Sequence, residues 1–181
     1  LYCLLGFIKN CDRKSRSLNK LVVTLSRQVE SWGTVILFEL STQKVSKEKL
    51  IQAFSEAEKF IYHVDEVFST YKENSIISQL KREEIEISSC SHDVQEVWAL
   101  CKKAMKLTDG AFNPWLKGFD PSGLVKGWAA QKCGEIFEKY GVENSLVNAA
   151  GDLALRGGLL KDGEVTPWEI GIRNPEIKDE I

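Results

Sequence analysis

The first two predicted elements are runs of β-branched and aromatic residues near the start of the chain. They occupy residues 21–29 and 33–40, on either side of Ser31 and Trp32. Such runs are typical of strands. No Asn-Gly or Asp-Gly pair, the usual signal of a two-residue hairpin turn, lies between them. The pattern predicts two strands at the start of a sheet, joined as a hairpin.

The next two elements show apolar residues at steps of three and four, the spacing of one helix face. The first stripe begins after Ser46, which can cap a helix, and continues to Phe68. The second begins near Val94, carries Lys106 near its negative end and stops at Gly110. Both segments are predicted to be amphipathic helices.

A third helix is expected over residues 126–140, where Gly141 ends the apolar stripe. Short strand candidates follow at residues 145–148, 152–156 and 168–172, separated by glycine-rich turns. Strands and helices are grouped rather than regularly alternating, which favours an α+β fold with packed helices over a doubly wound α/β sheet.

Length and charge narrow the class of protein further. The chain has 181 residues, of which 43% are apolar, and this fits one globular domain. Its formal net charge is −2, so it presents no global positive field and nucleic acid is not expected as a partner. The five cysteines include no Cys-x-x-Cys pair, which argues against a zinc site and a disulfide framework. They are expected to be small buried residues in a reducing compartment.

The first 20 residues form a segment of their own. An apolar run from Leu1 to Ile8 precedes several basic residues, which is the reverse of the order in an export signal. Eight residues are also too few to span a bilayer. We interpret residues 1–20 as a leader or flexible segment and residues 21–181 as the folded domain. The cytoplasm is favoured as the compartment, with a membrane-anchored or exported form left open.

Two turns rich in glycine, proline and small polar residues precede the third helix. They occupy residues 108–114 (TDGAFNP) and 120–129 (DPSGLVKGWA). The second combines unhindered amides, a positive helix end and Lys126, which together suit a diphosphate. The same residues are also explained by an ordinary turn followed by an ordinary lysine in the first turn of a helix. Neither a Gly-x-Gly-x-x-Gly nor a Walker A loop is present, so the usual dinucleotide and P-loop interpretations fail.

Neither histidine has the sequence context of a catalytic or metal-binding group. His63 lies inside the first predicted helix without a second metal ligand four residues away, and His92 begins the next helix. We interpret both as surface residues of helices, and we assign no catalytic base.

In this order the motifs resemble those of the ApbE family, the FAD:protein FMN transferases. The resemblance covers about residues 31–175 and looks most like the compact members of that family. It is carried by residues 32–34 (WGT), 68–72 (FSTYK), 108–114, 120–129, 148–152 (NAAGD) and 168–175 (WEIGIRNP). Any one of these motifs is weak, but six in sequence are specific.

The resemblance implies an ApbE-like mixed sheet and an enzyme that binds FAD together with Mg²⁺. Such an enzyme transfers the FMN half of FAD to a Thr or Ser hydroxyl of a target flavoprotein and releases AMP. This phosphoryl-type chemistry needs a metal ion, hydrogen-bond donors around the phosphates and a base that takes the proton of the attacking hydroxyl. Two other functions stay open: an FAD-binding module without transferase activity, and a hydrolase that cleaves the FAD pyrophosphate with water.

The resemblance also implies the residues of the site. Gly123 matches a main-chain ligand of magnesium, a hard cation that accepts carbonyl oxygens. The positions that match FAD contacts are Trp32, Tyr71, Ala111, Phe112, Asn113, Asp120 and Lys126. For Trp32 and Tyr71 the alternative is core packing, and for Asn113 it is turn chemistry before Pro114.

The chain departs from the family pattern in three respects. Trp32 stands where methionine is usual, and Ala150 stands where glycine is common, which leaves less room for close backbone approach. Family members also continue through a His-hydrophobic-hydrophobic-Asp-Pro segment and an Asp-x-x-x-Thr segment with further metal ligands. The present sequence ends before both. The fold is therefore expected to be incomplete at its C-terminal side, and this chain alone is expected to be inactive in transfer.

Overall fold

The computed structural model describes residues 22–172, so the predicted leader, residues 1–20, lies outside the described residues. The strands are β1 (Val23–Ser31), β2 (Thr34–Thr42), β3 (Asn144–Ala149), β4 (Asp152–Arg156), β5 (Leu159–Lys161) and β6 (Glu164–Thr166). The helices are α1 (Lys47–Phe68), α2 (Ile76–Lys81), α3 (His92–Leu107) and α4 (Ser122–Lys139), with a 3₁₀ turn at Ile87–Ser89. The α+β class is confirmed.

The predicted hairpin at the start of the sheet is present. β1 and β2 pair antiparallel, and Ser31 opposes Thr34 across a two-residue turn. Both turn residues have positive φ, 55° for Trp32 and 68° for Gly33. This is the backbone of a type I′ turn, for which Asn-Gly is the usual sequence. Trp32 takes the place of Asn here, which is why the turn carries no familiar sequence signal.

The main sheet has the order β1-β2-β3-β4, and each of its pairings is antiparallel. One face carries the core positions of β2 and β3, including Ile36, Phe38 and Val147, all of them fully buried. The opposite face carries Leu153 and Leu155, each 40% exposed. The sheet therefore packs its helices on one side, as strands with one buried face do.

Helices α1 and α4 cover the core face of the sheet. Phe38 of β2 meets Phe54 of α1 and Phe137 of α4, with ring centroids 6.3 and 5.4 Å away. Phe54 and Phe137 also contact each other edge to face at 5.9 Å. Aromatic contacts of this geometry contribute beyond simple area burial. This three-ring cluster joins the two helices and the sheet into one core.

The ends of the first two long helices follow the sequence signals. The hydroxyl of Ser46 accepts a hydrogen bond from the amide of Lys49, so this residue caps α1 as predicted. After α3, Gly110 adopts a φ of 83° and its amide donates to the carbonyl of Met105 at 2.9 Å. A left-handed glycine of this kind ends a helix by satisfying its last carbonyls.

The predicted start of the third helix is wrong by four residues, because α4 begins at Ser122 rather than Lys126. The carbonyl of Pro121 accepts hydrogen bonds from the amides of Leu124 and Val125, so Gly123 already lies inside the first turn. Proline before a helix presets the backbone, and this outweighs the low helix propensity of the two glycines that follow. Lys126 accordingly belongs to the second turn and is not a first-turn residue.

The predicted strand at residues 168–172 is also wrong. This segment has no ladder pairing in the described part of the chain, and the short hairpin β5-β6 precedes it. Trp168 instead turns towards β4, where its indole nitrogen donates to the carbonyl of Arg156 at 3.0 Å. The aromatic residue that suggested a strand is thus anchored by its side chain rather than by a backbone ladder.

The cysteines divide by burial. Cys101 and Cys133 are buried free thiols, as predicted, and desolvation raises the pKa of Cys101 to about 11 and that of Cys133 to about 12. Cys90 is only half-buried, which corrects the expectation for that residue. Cys3 and Cys11 lie outside the described residues. The two buried thiols are therefore protonated at neutral pH and act as small apolar groups.

None of the described helices is both long and apolar enough to cross a membrane.

Candidate functional site

Four chain segments meet at one end of the sheet. The β1-β2 turn and the β3-β4 turn share this end, because Ile36 near the start of β2 pairs with Ala149 at the end of β3. Helix α1 begins beyond the opposite end of β2 and runs back, so its last residue, Phe68, returns to the turns. Helix α4 leads into β3 at the opposite end, so α4 must begin beside the same turns.

Contacts between the two helices confirm this arrangement. The Tyr140 hydroxyl, just after α4, donates to Glu56 in the first half of α1 at 2.7 Å. Phe68, at the end of α1, packs on Trp128 in the second turn of α4 with ring centroids 5.4 Å apart. The helices are therefore antiparallel, and the end of α1 lies against the beginning of α4.

Lys126 of α4 joins the helix to the β3-β4 turn. Its ammonium lies 3.7 Å from a carboxylate oxygen of Asp152, and both side chains are partly exposed to solvent. A pair this long and this exposed contributes little to stability. The positive charge of Lys126 thus stays accessible to an anionic ligand at this end of the sheet.

The β3-β4 turn is as tight as the sequence suggested. Ala150 and Gly151 both have positive φ, 56° and 100°, and the amide of Gly151 donates to the Asn148 side chain at 2.8 Å. A left-handed conformation is uncommon for a residue with a Cβ, so Ala150 occupies a place that suits glycine better. Residues 148–152 thus include the tight connection between β3 and β4.

The loop of residues 108–121 closes over the start of α4. The Thr108 hydroxyl accepts a hydrogen bond from the amide of Phe112 at 3.0 Å, and the carbonyl of Pro114 accepts from the amide of Asp120 at 2.8 Å. The Asn113 side chain accepts from the amide of Trp115 at 3.0 Å, which is the turn chemistry expected as the alternative for this residue. These bonds fix the conformation of the loop that precedes the helix.

Phe112 of that loop lies against Gly123 in the first turn of α4. A Cβ added to Gly123 would lie 3.1 Å from the Phe112 ring, tighter than ordinary van der Waals contact. Glycine therefore allows the loop to pack on the first turn of the helix. Ala111 and Asn113, on either side of Phe112, are exposed and lie at the same helix end.

The amides at the start of α4 are less available than the sequence suggested. The Ser122 amide donates to the Asp120 carboxylate at 3.0 Å, and those of Leu124 and Val125 donate to the carbonyl of Pro121. A helix start offers only a few free donors, and two of them, the amides of Ser122 and Leu124, are used locally here, while the Val125 bond is the ordinary helical one. Lys126 therefore carries most of the positive charge that this end presents.

The two aromatic candidates have different surroundings. Tyr71 is 95% exposed, so the alternative that it packs in the core is wrong. Trp32 packs partly against the core, and its indole nitrogen is buried with no hydrogen-bond partner in the described part of the chain. Trp98 and Trp128 share that last property, so it is not particular to this site.

The two histidines belong to α1 and α3. His63 lines a groove of about 500 Å³ between α1 and α4, together with Asp93, Lys132 and Lys139. His92, Asp93 and Glu96 bring ligand atoms within 4.8 Å of one another, but Glu96 is paired with Lys132 at 3.0 Å. This acidic cluster is at the start of α3, beside the middle of α4, whereas His63 lies five residues before the end of α1 and lines the groove.

Comparison with known proteins decides the family. The model of the ApbE family matches residues 32–119 and 117–181, which together include every segment described above. The chain belongs to the ApbE family.

Individual relatives of this ApbE protein match it over limited parts. A curated FAD:protein FMN transferase from Vibrio cholerae serotype O1 is 34% identical over 58 residues, which are 32% of this chain and 16% of the relative. The chain thus spans far less than two thirds of that relative.

Solved structures extend the likeness over most of this chain. The apbe protein from Thermotoga maritima superposes with a TM-score of 0.73 at 19% identity, over 88% of this chain and 66% of its own. Flavin transferase ApbE from Vibrio cholerae superposes with a TM-score of 0.64 at 21% identity, over 86% of this chain and 64% of its own. The apo form of Pseudomonas stutzeri flavinyl transferase ApbE superposes with a TM-score of 0.67 at 16% identity, over 83% of this chain and 63% of its own. At these identities the likeness establishes the fold.

A pair of glycine substitutions tests the packing of the loop on α4. Gly127 is exposed inside α4 with open space around its Cα, so Gly127→Ala should raise the free energy of unfolding by about 0.5–1 kcal/mol through helix propensity. Gly123→Ala should gain less, or lose stability, because the Phe112 ring must move. Denaturant unfolding of both variants measures the difference, and equal stabilisation would show that Phe112 does not pack on Gly123.

Proposed function

We propose that this chain forms the FAD-binding part of a magnesium-dependent FAD:protein FMN transferase. The proposed reaction moves FMN from FAD to a Thr or Ser hydroxyl of an acceptor flavoprotein and releases AMP. One observation carries the proposal: in a member of the ApbE family, segments far apart in sequence meet at one sheet end with an exposed aromatic ring and an accessible cation. Such a combination suits a flavin joined to a diphosphate.

The flavin end of the ligand is assigned to the aromatic residues. Tyr71 presents its ring to solvent immediately after the end of α1, where it is free to stack on an isoalloxazine ring. Trp32 supplies a second aromatic surface at the β1-β2 turn. Phe112 and Asn113, held by the loop before α4, complete the proposed contacts with Ala111.

The diphosphate is assigned to the start of α4. Lys126 faces Asp152 across 3.7 Å, so exchanging this weak partner for a phosphate oxygen costs little. The Asp120 carboxylate holds the Ser122 amide and thereby fixes the residue before the helix. Lys126 would in this way offset the negative charge that accumulates on the phosphates as the bond to the leaving group breaks.

The described residues fit magnesium in chemical type. The carbonyl of Gly123 lies in the first turn of α4, and Asp120 lies three residues before it with a second carboxylate oxygen available. Both are hard oxygen donors, which magnesium prefers, but they fill only part of an octahedral shell. When bound there, the ion would neutralise phosphate charge and orient the diphosphate.

The proposed chemistry is a substitution at the phosphorus of the FMN phosphate. The oxygen of the acceptor hydroxyl forms a bond to that phosphorus, and the bond from phosphorus to the bridging oxygen of the diphosphate breaks. AMP leaves with that oxygen, while the hydroxyl proton passes to a base. Neither described histidine forms a hydrogen bond or ion pair with the turn residues in the described part of the chain, so we assign no base.

The Tyr71 assignment predicts the effect of removing one ring. Tyr71→Ala should weaken FAD binding several-fold, because stacking contributes about 1 kcal/mol beyond burial, while the fold stays intact. Tyr71→Phe should bind nearly as well as the unmodified protein. Tyr62→Ala is the matched control, because Tyr62 is also exposed but lies within α1. Flavin fluorescence titration measures the dissociation constants, and an unchanged value for Tyr71→Ala would remove Tyr71 from the site.

The metal assignment predicts that magnesium tightens FAD binding. Titrations of the chain with FAD in magnesium and in excess chelator should give a lower dissociation constant with magnesium, because the ion offsets the diphosphate charge. Identical affinities would contradict a role for the metal. In the full-length protein, AMP that appears only with an acceptor protein supports transfer, whereas AMP formed with water alone would indicate hydrolysis.

A further inference from the structure

The segment that carries Tyr71 is held from both sides by side chains that do not belong to the proposed FAD contacts. On the first side, the Ser69 hydroxyl accepts hydrogen bonds from the amides of Tyr71 and Lys72, both at 3.2 Å. The Ser69 carbonyl accepts from the Ser75 hydroxyl at 2.5 Å, and Ser75 is a buried residue that caps α2. Ser69 is thereby fixed between α1 and α2.

On the second side, Lys72 reaches back over the last turns of α1. Its ammonium lies 2.6 Å from a carboxylate oxygen of Asp65 and 2.5 Å from one of Glu66. These separations of seven and six residues are outside the ordinary pairs within one helix, so the contacts bend the loop back onto α1. We refer to Lys72, Asp65 and Glu66 as the lysine clasp.

Electrostatics favour the clasp in its closed form. The last turn of α1 contains no basic residue, so the Lys72 ammonium is the cation that meets the negative end of this helix. The carboxylates of Asp65 and then Glu66 raise the pKa of Lys72 from its ordinary value. Lys72 therefore keeps its charge at neutral pH, and its contribution is lost only when the pH rises through that raised pKa.

A contribution to stability does not by itself explain why two acidic side chains pair with Lys72. All three side chains are partly exposed, and exposed ion pairs contribute little to the free energy of unfolding. Holding a long lysine side chain in one geometry also costs conformational entropy. The clasp does fix the backbone path of residues 69–72, which runs from Ser69 to the ion pairs of Lys72.

Tyr71 lies between Ser69 and Lys72, and its side chain has almost no contacts, since 95% of its surface is exposed. Its ring can be placed only through its backbone. We propose that Lys72, together with Asp65 and Glu66, is a positioning residue that holds the Tyr71 backbone ready to stack on the flavin. This inference rests on the proposed function. It assigns Lys72 no contact with FAD, because its ammonium is already occupied by two carboxylates.

A double-mutant cycle tests this role. Lys72→Met should weaken FAD binding about three- to tenfold when Tyr71 is present, because the loop must then be ordered on binding. In the Tyr71→Ala background the same change should matter less than about twofold, since no ring is left to position. Lys72→Arg should keep most of the affinity. Lys44→Met is the matched control, because Lys44 forms an exposed pair with Glu143 at the opposite end of the sheet.

Amide exchange gives a second measurement that needs no FAD. The amides of Tyr71 and Lys72 both donate to Ser69, so Lys72→Met should raise their exchange rates several-fold and leave those in α4 unchanged.

Unchanged exchange at these two amides would overturn the clasp. Equal loss of FAD affinity in both Tyr71 backgrounds would also overturn it and would make Lys72 a direct ligand. Absence of FAD binding by the unmodified chain would overturn the proposed function and this inference together, whereas binding without coupling would overturn this inference alone.

Discussion

The packing of α4 against both α1 and the sheet is the constraint on which the rest of the structure depends. Phe137 joins α4 to Phe38 and Phe54, and the small residues Ala129, Ala130 and Cys133 are fully buried along the helix. Because this contact fixes both the direction and the depth of α4, it also decides where the helix begins. Its first turn lies beside two strand turns, and the loop before it closes over the same place.

Much of this arrangement was predictable from local sequence signals, and the exceptions have physical reasons. The cap at Ser46 and the stop at Gly110 depend on residues within one helical turn, so the sequence predicts them correctly. The predicted start of α4 is four residues too late because the glycine, proline and serine of residues 120–123 indicate a turn, and the packing of the helix on the core is absent from that local signal. Trp168 resembled a strand residue, but its hydrogen bond to Arg156 is a tertiary contact that periodicity does not contain.

The candidate site was predictable in its members but not in its geometry. Residue chemistry alone singled out the loops around Asn113 and Gly123, and the family resemblance added Trp32 and Tyr71. Only the topology brings these distant segments to one sheet end, and only the structure separates an exposed Tyr71 from a partly buried Trp32. The clasp at Lys72 carried no sequence signal, because its two partners lie six and seven residues back on a helix.

The central claim is that FAD binds at the sheet end where the loop after α1, the loop before α4 and the start of α4 lie. Hydrogen exchange followed by mass spectrometry, with and without FAD and magnesium, tests it most directly because it reports every segment at once. The account predicts slower exchange in residues 69–72, 111–113 and 120–126, with no change around His63 and Lys139. Protection in the groove between α1 and α4, or no protection in those three segments, would contradict it.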